Sequence, residues 1–189
     1  MKLCMLFVTL AFFLAGCKEN YTPKPRAFYR IEPGKSSYNA FSNRNLSFSV
    51  SGDAVLQKKS SDENEEWFNI VYPLYNAEIY CTYLKINKSR LNSLIAENQK
   101  LVFSHTGQAT EIQQLTYEDN VNQKYGVLYR IIGNVATPFQ FYLTDNEQNF
   151  LRGSLYFRQE VQRDSILPVL EILEQDLSEL FESLSWNKC

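Results

Sequence analysis

Histidine is nearly absent from this sequence, with His105 the single copy among 189 residues. Metal sites built from several histidines are therefore excluded, and a Ser-His-Asp arrangement could draw only on this residue. Ser104 precedes His105 directly, but neighbouring residues on a helix point about 100° apart and do not form a nucleophile–base pair. We therefore expect His105 to be a helix-end residue near free carbonyl groups, and not a catalytic base.

The sequence also lacks a glycine-rich phosphate loop, a GxSxG motif and paired CxxC motifs. Glu171 and Glu174 could act as paired carboxylates, but they fit the solvated face of an amphipathic helix better. A second acidic run lies in a predicted charged loop over residues 58–66 and comprises Asp62, Glu63, Glu65 and Glu66. Its spacing is not that of a calcium loop. The sequence therefore predicts a non-enzymatic protein without a metal or a cofactor.

The sequence also has no large excess of positive or negative charge. The formal net charge is −2, which gives no bias towards nucleic acid, and we expect none as a partner. Only 7 glycines accompany an aromatic content of 14%, a composition typical of a packed globule that contains a sheet. A chain of this length fits one domain and can bury its core without disulfides or metal.

The longest apolar run, residues 3–14, is too short for a permanent membrane span. Twelve residues rise about 18 Å as a helix, whereas the hydrocarbon core is roughly 30 Å thick. Lys2 precedes the run, and the sequence LAGC ending at Cys17 follows it. LAGC resembles the lipobox of bacterial lipoproteins, although an ordinary signal peptide with a chance cysteine is the alternative. We predict that residues 1–16 are a lipoprotein signal peptide and that acyl chains on Cys17 anchor the protein in a membrane.

Cysteine is too scarce for a disulfide framework. Cys4 leaves with the signal peptide and Cys17 carries lipid, so only Cys81 and Cys189 remain. A bridge between them is the less favoured alternative, because Cys81 lies in an apolar run and Cys189 is the last residue. Two prolines near Cys17 favour extended backbone, so residues 17–40 are predicted to be the lipidated N-terminus and tether, and residues 41–189 the globular domain.

Alternation and β-branched or aromatic enrichment predict most of the sheet. The predicted strands cover residues 46–50, 67–72, 78–86, 124–132, 136–144 and 149–158. Ile112, Leu115 and Tyr117 fit a helix or a strand, and a strand is favoured. Turn residues at 133–134 and 145–146 tolerate positive φ, so the last three strands should form an antiparallel meander.

Two amphipathic helices complete the predicted fold. The first covers residues 90–104 with Ser89 as its N-cap. The second begins at Asp164 or Ser165, has Pro168 in its first turn, and carries an apolar stripe as far as Leu184 that should pack on the sheet. The fold class is therefore α+β, a single domain with a mostly antiparallel sheet of about six or seven strands packed with two main helices. By analogy it is similar to the Mog1/PsbP-like sandwich.

Aromatic side chains are the one excess. One group comprises Trp67, Phe68, Tyr72, Tyr75, Tyr80 and Tyr83. The other comprises Tyr125, Tyr129, Phe139, Phe141, Tyr142, Tyr156 and Phe157. Consecutive residues of a strand point to opposite faces, so some of this surface must meet a helix or a partner. Core packing is the favoured explanation, and a protein-binding or glycan-binding face is the alternative.

Several stretches of the sequence resemble those of a known protein family. They are YTPKPR at residues 21–26, WFNI at 67–70, the run from 125 to 157, and DSILPV at 164–169. Together they resemble the gliding-motility lipoprotein family of the Bacteroidetes known as GldD, over nearly the whole mature chain. The resemblance implies a role in gliding and type IX protein secretion, no catalytic residues, and lipid attachment at Cys17. Pro138 is unusual within the strand-like family motif and should sit at an edge or bulge.

The favoured hypothesis is a membrane-anchored accessory of gliding and type IX secretion that contacts other envelope proteins. A periplasmic glycan- or lipid-binding module with an aromatic face is the alternative, and a hydrolase that uses His105 comes third. Lys18 follows Cys17 where enterobacterial inner-membrane lipoproteins carry Asp. By that analogy the outer membrane, facing the periplasm, is favoured over the inner membrane.

Overall fold

A computed structural model describes residues 37–104, 107–158 and 163–187. The strands in chain order are β1 (Tyr38–Ser42), β2 (Leu46–Ser51), β3 (Val55–Ser61), β4 (Glu65–Tyr72), β5 (Ala77–Lys85), β6 (Ala109–Asp119), β7 (Lys124–Gly133), β8 (Phe139–Thr144), β9 (Asn149–Phe157) and β10 (Ser185–Trp186). The helices are α1 (Lys88–Phe103), between β5 and β6, and α2 (Arg163–Ser183), between β9 and β10. A short 3₁₀ turn, Pro73–Tyr75, links β4 to β5.

Seven strands form one antiparallel sheet in the order β3-β4-β5-β9-β8-β7-β6. The predicted meander is confirmed, because β7, β8 and β9 are neighbours in this sheet. Gly133, with φ of 145°, and Asn146, with φ of 64°, provide the positive φ at the two turns. The α+β prediction is also confirmed. A smaller antiparallel sheet in the order β1-β2-β10 was not predicted.

The apolar stripe of α2 packs on one face of the seven-stranded sheet, as predicted. Leu173, Leu177 and Phe181 are buried there, and the ring of Phe181 meets that of Phe141 from β8 at 5.2 Å between centroids. Phe48 from β2 joins the same core. Full burial of one such side chain contributes roughly 1.5–3 kcal/mol, so this contact is a main source of stability. We call this face of the large sheet the inner face.

The first helix, α1, covers part of the opposite face of the large sheet, which we call the outer face. Leu91, Leu94 and Val102 of α1 are buried against strand residues of β7, β8 and β9. The strand residues in this second core are Tyr129, Ile131, Tyr142 and Phe150. The strand periodicity of two accounts for the division, since odd-numbered residues of β7 point to the outer face and even-numbered ones to the inner face.

Several predicted boundaries were wrong for identifiable reasons. The predicted loop over residues 58–66 is a hairpin, and only residues 62–64 separate β3 from β4. Strand β8 begins at Phe139, not at 136, because Pro138 has no N–H for the ladder. The carbonyl oxygen of Pro138 accepts a hydrogen bond from the Ile131 N–H at 2.8 Å, so Pro138 lies at the start of the strand.

The helix starts also differ from the prediction. Helix α1 begins at Lys88 with Asn87 as its N-cap, so Ser89 is inside the helix. Helix α2 begins at Arg163, which places the predicted caps Asp164 and Ser165 within the first turn and Pro168 within the second. Strand β1 begins at Tyr38, within the segment that the sequence assigns to the tether. Cys17, His105 and Cys189 lie outside the described residues, as do the signal peptide and most of the tether.

Candidate functional site

Three aromatic side chains remain accessible on the part of the outer face formed by β4, β5 and β9. They are Trp67, Tyr80 and Tyr156, with exposed fractions of 50%, 49% and 37%. The rings of Tyr80 and Tyr156 meet edge to face with centroids 5.5 Å apart. We call these three residues the aromatic patch. Their strand neighbours Phe68 and Ile70 point to the inner face and are buried, so the alternation of β4 produces both surfaces.

A buried polar network supports the patch. The Asn69 amide donates a hydrogen bond to Glu78, and the Arg158 guanidinium binds the other carboxylate oxygen at 3.2 Å. The Tyr80 hydroxyl donates to that same oxygen at 3.4 Å. Burial, and then the charge of Glu78, raise the pKa of Tyr80. The buried carboxylate therefore fixes one tyrosine and one arginine beside each other, with the arginine side chain still half exposed.

Most of the other predicted aromatics belong to the core. Tyr72, Tyr83, Tyr129, Phe139, Phe141 and Tyr142 are all buried. The favoured explanation, core packing, is therefore confirmed for these residues. Tyr75, Tyr125 and Phe157 are partly buried, and Trp67, Tyr80 and Tyr156 are exposed. The Trp67 indole N–H donates to the Glu65 carboxylate at 2.7 Å.

Glu171 and Glu174, considered from the sequence as a carboxylate pair and assigned to a solvated helix face, have different environments. A cleft of about 1170 Å³ between α2 and the β7–β8 loop is lined by both Glu171 and Glu174. Glu174 binds the Arg130 guanidinium of β7, and Arg130 also donates to Gln113 at 3.1 Å. Glu174 therefore ties α2 to the sheet, while Glu171 is exposed. This arrangement differs from two carboxyl groups that face a shared substrate.

A second cleft, of about 770 Å³, lies beside the end of α2 and the β8–β9 turn. Several of the polar groups that line it form hydrogen bonds with other groups of the protein. The Asp145 carboxylate accepts the backbone N–H groups of residues 147, 148 and 149, each at 2.9 Å. The Tyr83 hydroxyl donates to Asn149 at 2.6 Å. These contacts hold the turn in place.

The acidic run of the β3–β4 hairpin also serves structure. Glu66 is buried and accepts hydrogen bonds from the amides of Asn43 and Asn45 at 2.9 and 3.3 Å. Asp62 accepts the backbone N–H of Glu63 at 2.7 Å. Within residues 37–104, 107–158 and 163–187, no group of His, Cys, Asp and Glu side chains is placed to hold a metal ion.

Cys81 has a free thiol that is buried in the main core. Burial raises the pKa of this thiol well above its usual value, so it stays protonated and unreactive. Helices in the described part of the chain are too short or too polar to cross a membrane.

Asp176 is a buried carboxylate, like Glu66 and Glu78, and nothing in the sequence indicated its burial. Asp176 of α2 accepts a hydrogen bond from the Tyr38 hydroxyl at 3.1 Å, although the two residues are 138 positions apart. Burial, and then the charge of Asp176, raise the pKa of Tyr38 to about 12. The same two causes, in the same order, raise the pKa of Tyr72. The position of Asp176 on an amphipathic helix does not indicate, from the sequence, a contact with a residue so far away along the chain.

Comparison with known proteins bears directly on the identity of the chain. A family model described as gliding motility lipoprotein GldD matches residues 18–186. A search of curated protein sequences gives no match. The matched span includes all of the strands and helices described above, and it confirms the resemblance carried by the sequence motifs. The chain therefore belongs to the family of gliding motility lipoproteins named GldD, which implies a lipid-anchored location in the cell envelope.

Proposed function

We propose that the chain is a non-enzymatic accessory of gliding and type IX protein secretion that acts by contacting other envelope proteins. Membership of the gliding motility lipoprotein family over residues 18–186 carries this proposal. The anchor is lipid on Cys17, because the LAGC sequence has the small residues that lipoprotein processing requires. The lipid holds the protein in the outer membrane, with the folded domain facing the periplasm.

The aromatic patch is the contact surface in this proposal. Tryptophan, tyrosine and arginine are the residues most often responsible for binding energy at protein interfaces. Trp67, Tyr80 and Tyr156 lie half exposed on one face of the sheet, and Arg158 sits beside them on a buried carboxylate. Because this network fixes Tyr80 and Arg158 before binding, little conformational entropy is lost when a partner docks on these two side chains.

The anchor is tested by labelling cells with palmitate and replacing single cysteines. Wild type and Cys4→Ser should incorporate label, whereas Cys17→Ser should incorporate none. Cys4 is a matched control, since it also lies in the N-terminal region but is removed with the signal peptide. Equal labelling of Cys17→Ser would contradict the proposed attachment site.

The role is tested by gene deletion and complementation. Deletion should reduce colony spreading and the secretion of cell-surface adhesins, and the wild-type gene should restore both. Cys17→Ser should restore neither in full. Unchanged spreading and secretion after deletion would overturn the proposed function.

The patch is tested by replacing its aromatic residues in otherwise wild-type cells. Trp67→Ala and Tyr80→Ala should reduce secretion while the protein remains folded by circular dichroism. Loss of an interface hot spot costs about 2 kcal/mol or more, roughly a thirtyfold loss of affinity. Val121→Ala is the matched control, because Val121 is an apolar residue with an exposed fraction of 91% on the β6–β7 turn. Equal secretion by all three variants would remove the patch from the proposal.

A second candidate is a glycan- or lipid-binding module that uses the same aromatic patch. The half-exposed Trp67 favours it, because sugar rings stack on accessible indole surfaces. Neither cleft described above is lined by Trp67, Tyr80 or Tyr156, so a sugar would have to bind on an open face. Titration with soluble peptidoglycan fragments, followed by the tryptophan fluorescence of wild type and Trp67→Phe, separates the candidates. Saturable quenching that Trp67→Phe loses would favour the glycan module over the protein contact.

A further inference from the structure

The seven-stranded sheet ends in two edge strands of very different character. Edge strands expose unpaired N–H and C=O groups, and proteins usually protect them with lysines, bulges or short length. β3 carries Lys58 and Lys59 and has a register shift between Lys58 and Ser60. In the smaller sheet, β1 has five residues and β10 has two. These three strands are protected against pairing with another chain.

Strand β6 has little of that protection. It is 11 residues long and has a register shift only at its start, between Ala109 and Glu111, after which its register with β7 is continuous to Asp119. In the described ranges, β7 is the only strand that pairs with it. Residues 112–117 have no charge and no proline, and Gln114, Leu115 and Thr116 are exposed, Leu115 by 43%.

The hydrogen-bond pattern shows which backbone groups of β6 point outward. The Ile131 N–H donates to the Pro138 carbonyl, so the odd-numbered residues of β7 bind β8 and the even-numbered ones bind β6. Those even-numbered residues lie opposite residues 113, 115 and 117 of β6. Ile112, Gln114 and Thr116 therefore direct their N–H and C=O groups to the open edge.

We propose that β6 pairs antiparallel with the β6 of a second copy, across a twofold axis at Gln114, so that two seven-stranded sheets become one. In this register Ile112 lies opposite Thr116 of the other copy, and each outward donor meets an outward acceptor. Glu111 lies opposite Tyr117, and Glu118 lies opposite Thr110.

The charges favour this register over its neighbour. With the axis at Leu115, Glu111 would face Asp119, and like charges directly opposite each other destabilise a pair of strands. With the axis at Gln114, no carboxylate of β6 faces another. The edge is therefore self-complementary in its backbone groups and in its charges, as a twofold interface requires.

Sedimentation velocity tests the proposal on the complete mature chain. The lipidated protein is measured in detergent, and the Cys17→Ser variant is measured in buffer without detergent. The expected result is a dimer whose fraction rises with protein concentration. Gln114→Pro removes an outward N–H without touching the ladder to β7, and two main-chain hydrogen bonds are lost per dimer. We expect the dissociation constant to rise about tenfold or more. Gln114→Ala keeps the N–H and should remain a dimer.

Two further variants separate this interface from misfolding. Gln114→Lys keeps the strand and its outward N–H group, but it places two ammonium groups opposite each other on the twofold axis. The variant should therefore weaken the dimer, and added salt should restore the dimer by screening the repulsion. Lys58→Pro makes the same backbone change on the β3 edge and should not alter the dimer. A monomer at all concentrations would overturn the proposal. That result is expected if another protein or the chain's own N-terminal segment covers β6. A dimer that neither Gln114→Pro nor Gln114→Lys weakens would also overturn it.

Discussion

Lys124 places a charged ammonium group inside the protein at the end of a helix. Its Nζ donates to the carbonyl oxygens of Phe181 at 3.0 Å and Glu182 at 2.5 Å, and it forms an ion pair with Asp119 at 3.5 Å. The last carbonyl groups of a helix have no helical donor, and a cation there also complements the helix dipole. Lys124 therefore joins the start of β7 to the end of α2.

We predict that Lys124→Met lowers the free energy of unfolding by about 2–4 kcal/mol, because the carbonyl groups of Phe181 and Glu182 lose the ammonium group that satisfies them. Urea denaturation followed by circular dichroism measures this change. Lys85→Met is the control, since Lys85 is exposed and should change stability by less than about 0.5 kcal/mol. A loss at Lys124 as small as that at Lys85 would show that the buried contacts do not stabilise the fold.

Asp176 is a second buried charge, and it makes stability depend on pH. Burial raises the pKa of Asp176 more than the hydrogen bond from Tyr38 lowers it. The folded protein therefore holds this proton more tightly than the unfolded chain does. The contribution of Asp176 is complete below the unfolded pKa of about 3.9, and it is lost as the pH rises through the raised pKa.

From this sign we predict that Asp176→Asn stabilises the protein relative to wild type increasingly between pH 4 and neutral pH. The amide oxygen can still accept from Tyr38, and the amide carries no charge to bury. Melting temperatures measured across this pH range test the prediction. Asp53→Asn, which removes a nearby exposed charge, should give a smaller effect. A difference that shrinks as the pH rises would contradict the assignment.

At the scale of elements, the pairing of β8 with β9 depends on one glycine. Gly153 lies directly opposite Phe141, and a methyl group on Gly153 would overlap ring atoms Cε1 and Cζ of Phe141. That ring is buried and packs on Phe181 of α2. The missing side chain therefore makes room for the contact between the sheet and α2.

Gly153→Ala should accordingly destabilise the protein by about 1–3 kcal/mol, because the ring must leave its position. Chemical denaturation of Gly153→Ala, Phe141→Leu and the double variant forms a complete mutant cycle. The double variant should lose less than the sum of the two single losses, since the smaller side chain accepts the methyl group. Strict additivity would show that the two residues do not interact. Ser154→Ala, on the outer face of the same strand, controls for the strand itself.

Elements with a local signal could be predicted from the sequence, and elements without one could not. The β7–β9 meander has turn residues at Gly133 and Asn146, and α2 has a continuous apolar stripe, so both were found. Residues 58–61 of β3 were predicted as part of a charged loop because they are polar, and the alternation that marks a strand is missing. β1 and β10 form only because β2 pairs with both.

At the scale of the whole molecule, the two faces of the large sheet differ in how completely they are covered. The inner face is buried under α2 and the residues of β2, whereas α1 leaves the aromatic patch accessible on the outer face. The sequence predicted an aromatic excess but not which rings would be exposed. That depends on where α1 lies and on the pairing of Glu78 with Arg158, 80 residues apart.

The chain belongs to the gliding motility lipoprotein family. The central proposal is that its aromatic patch binds another envelope protein. A photo-crosslinking amino acid at Tyr80, introduced in living cells, tests this claim most directly, with the same amino acid at Val121 as control. Mass spectrometry then identifies the captured protein. We predict that position 80, and not position 121, captures an envelope protein whose loss also blocks adhesin secretion. Equal capture from both positions, or none from position 80 in cells that still secrete, would contradict the account.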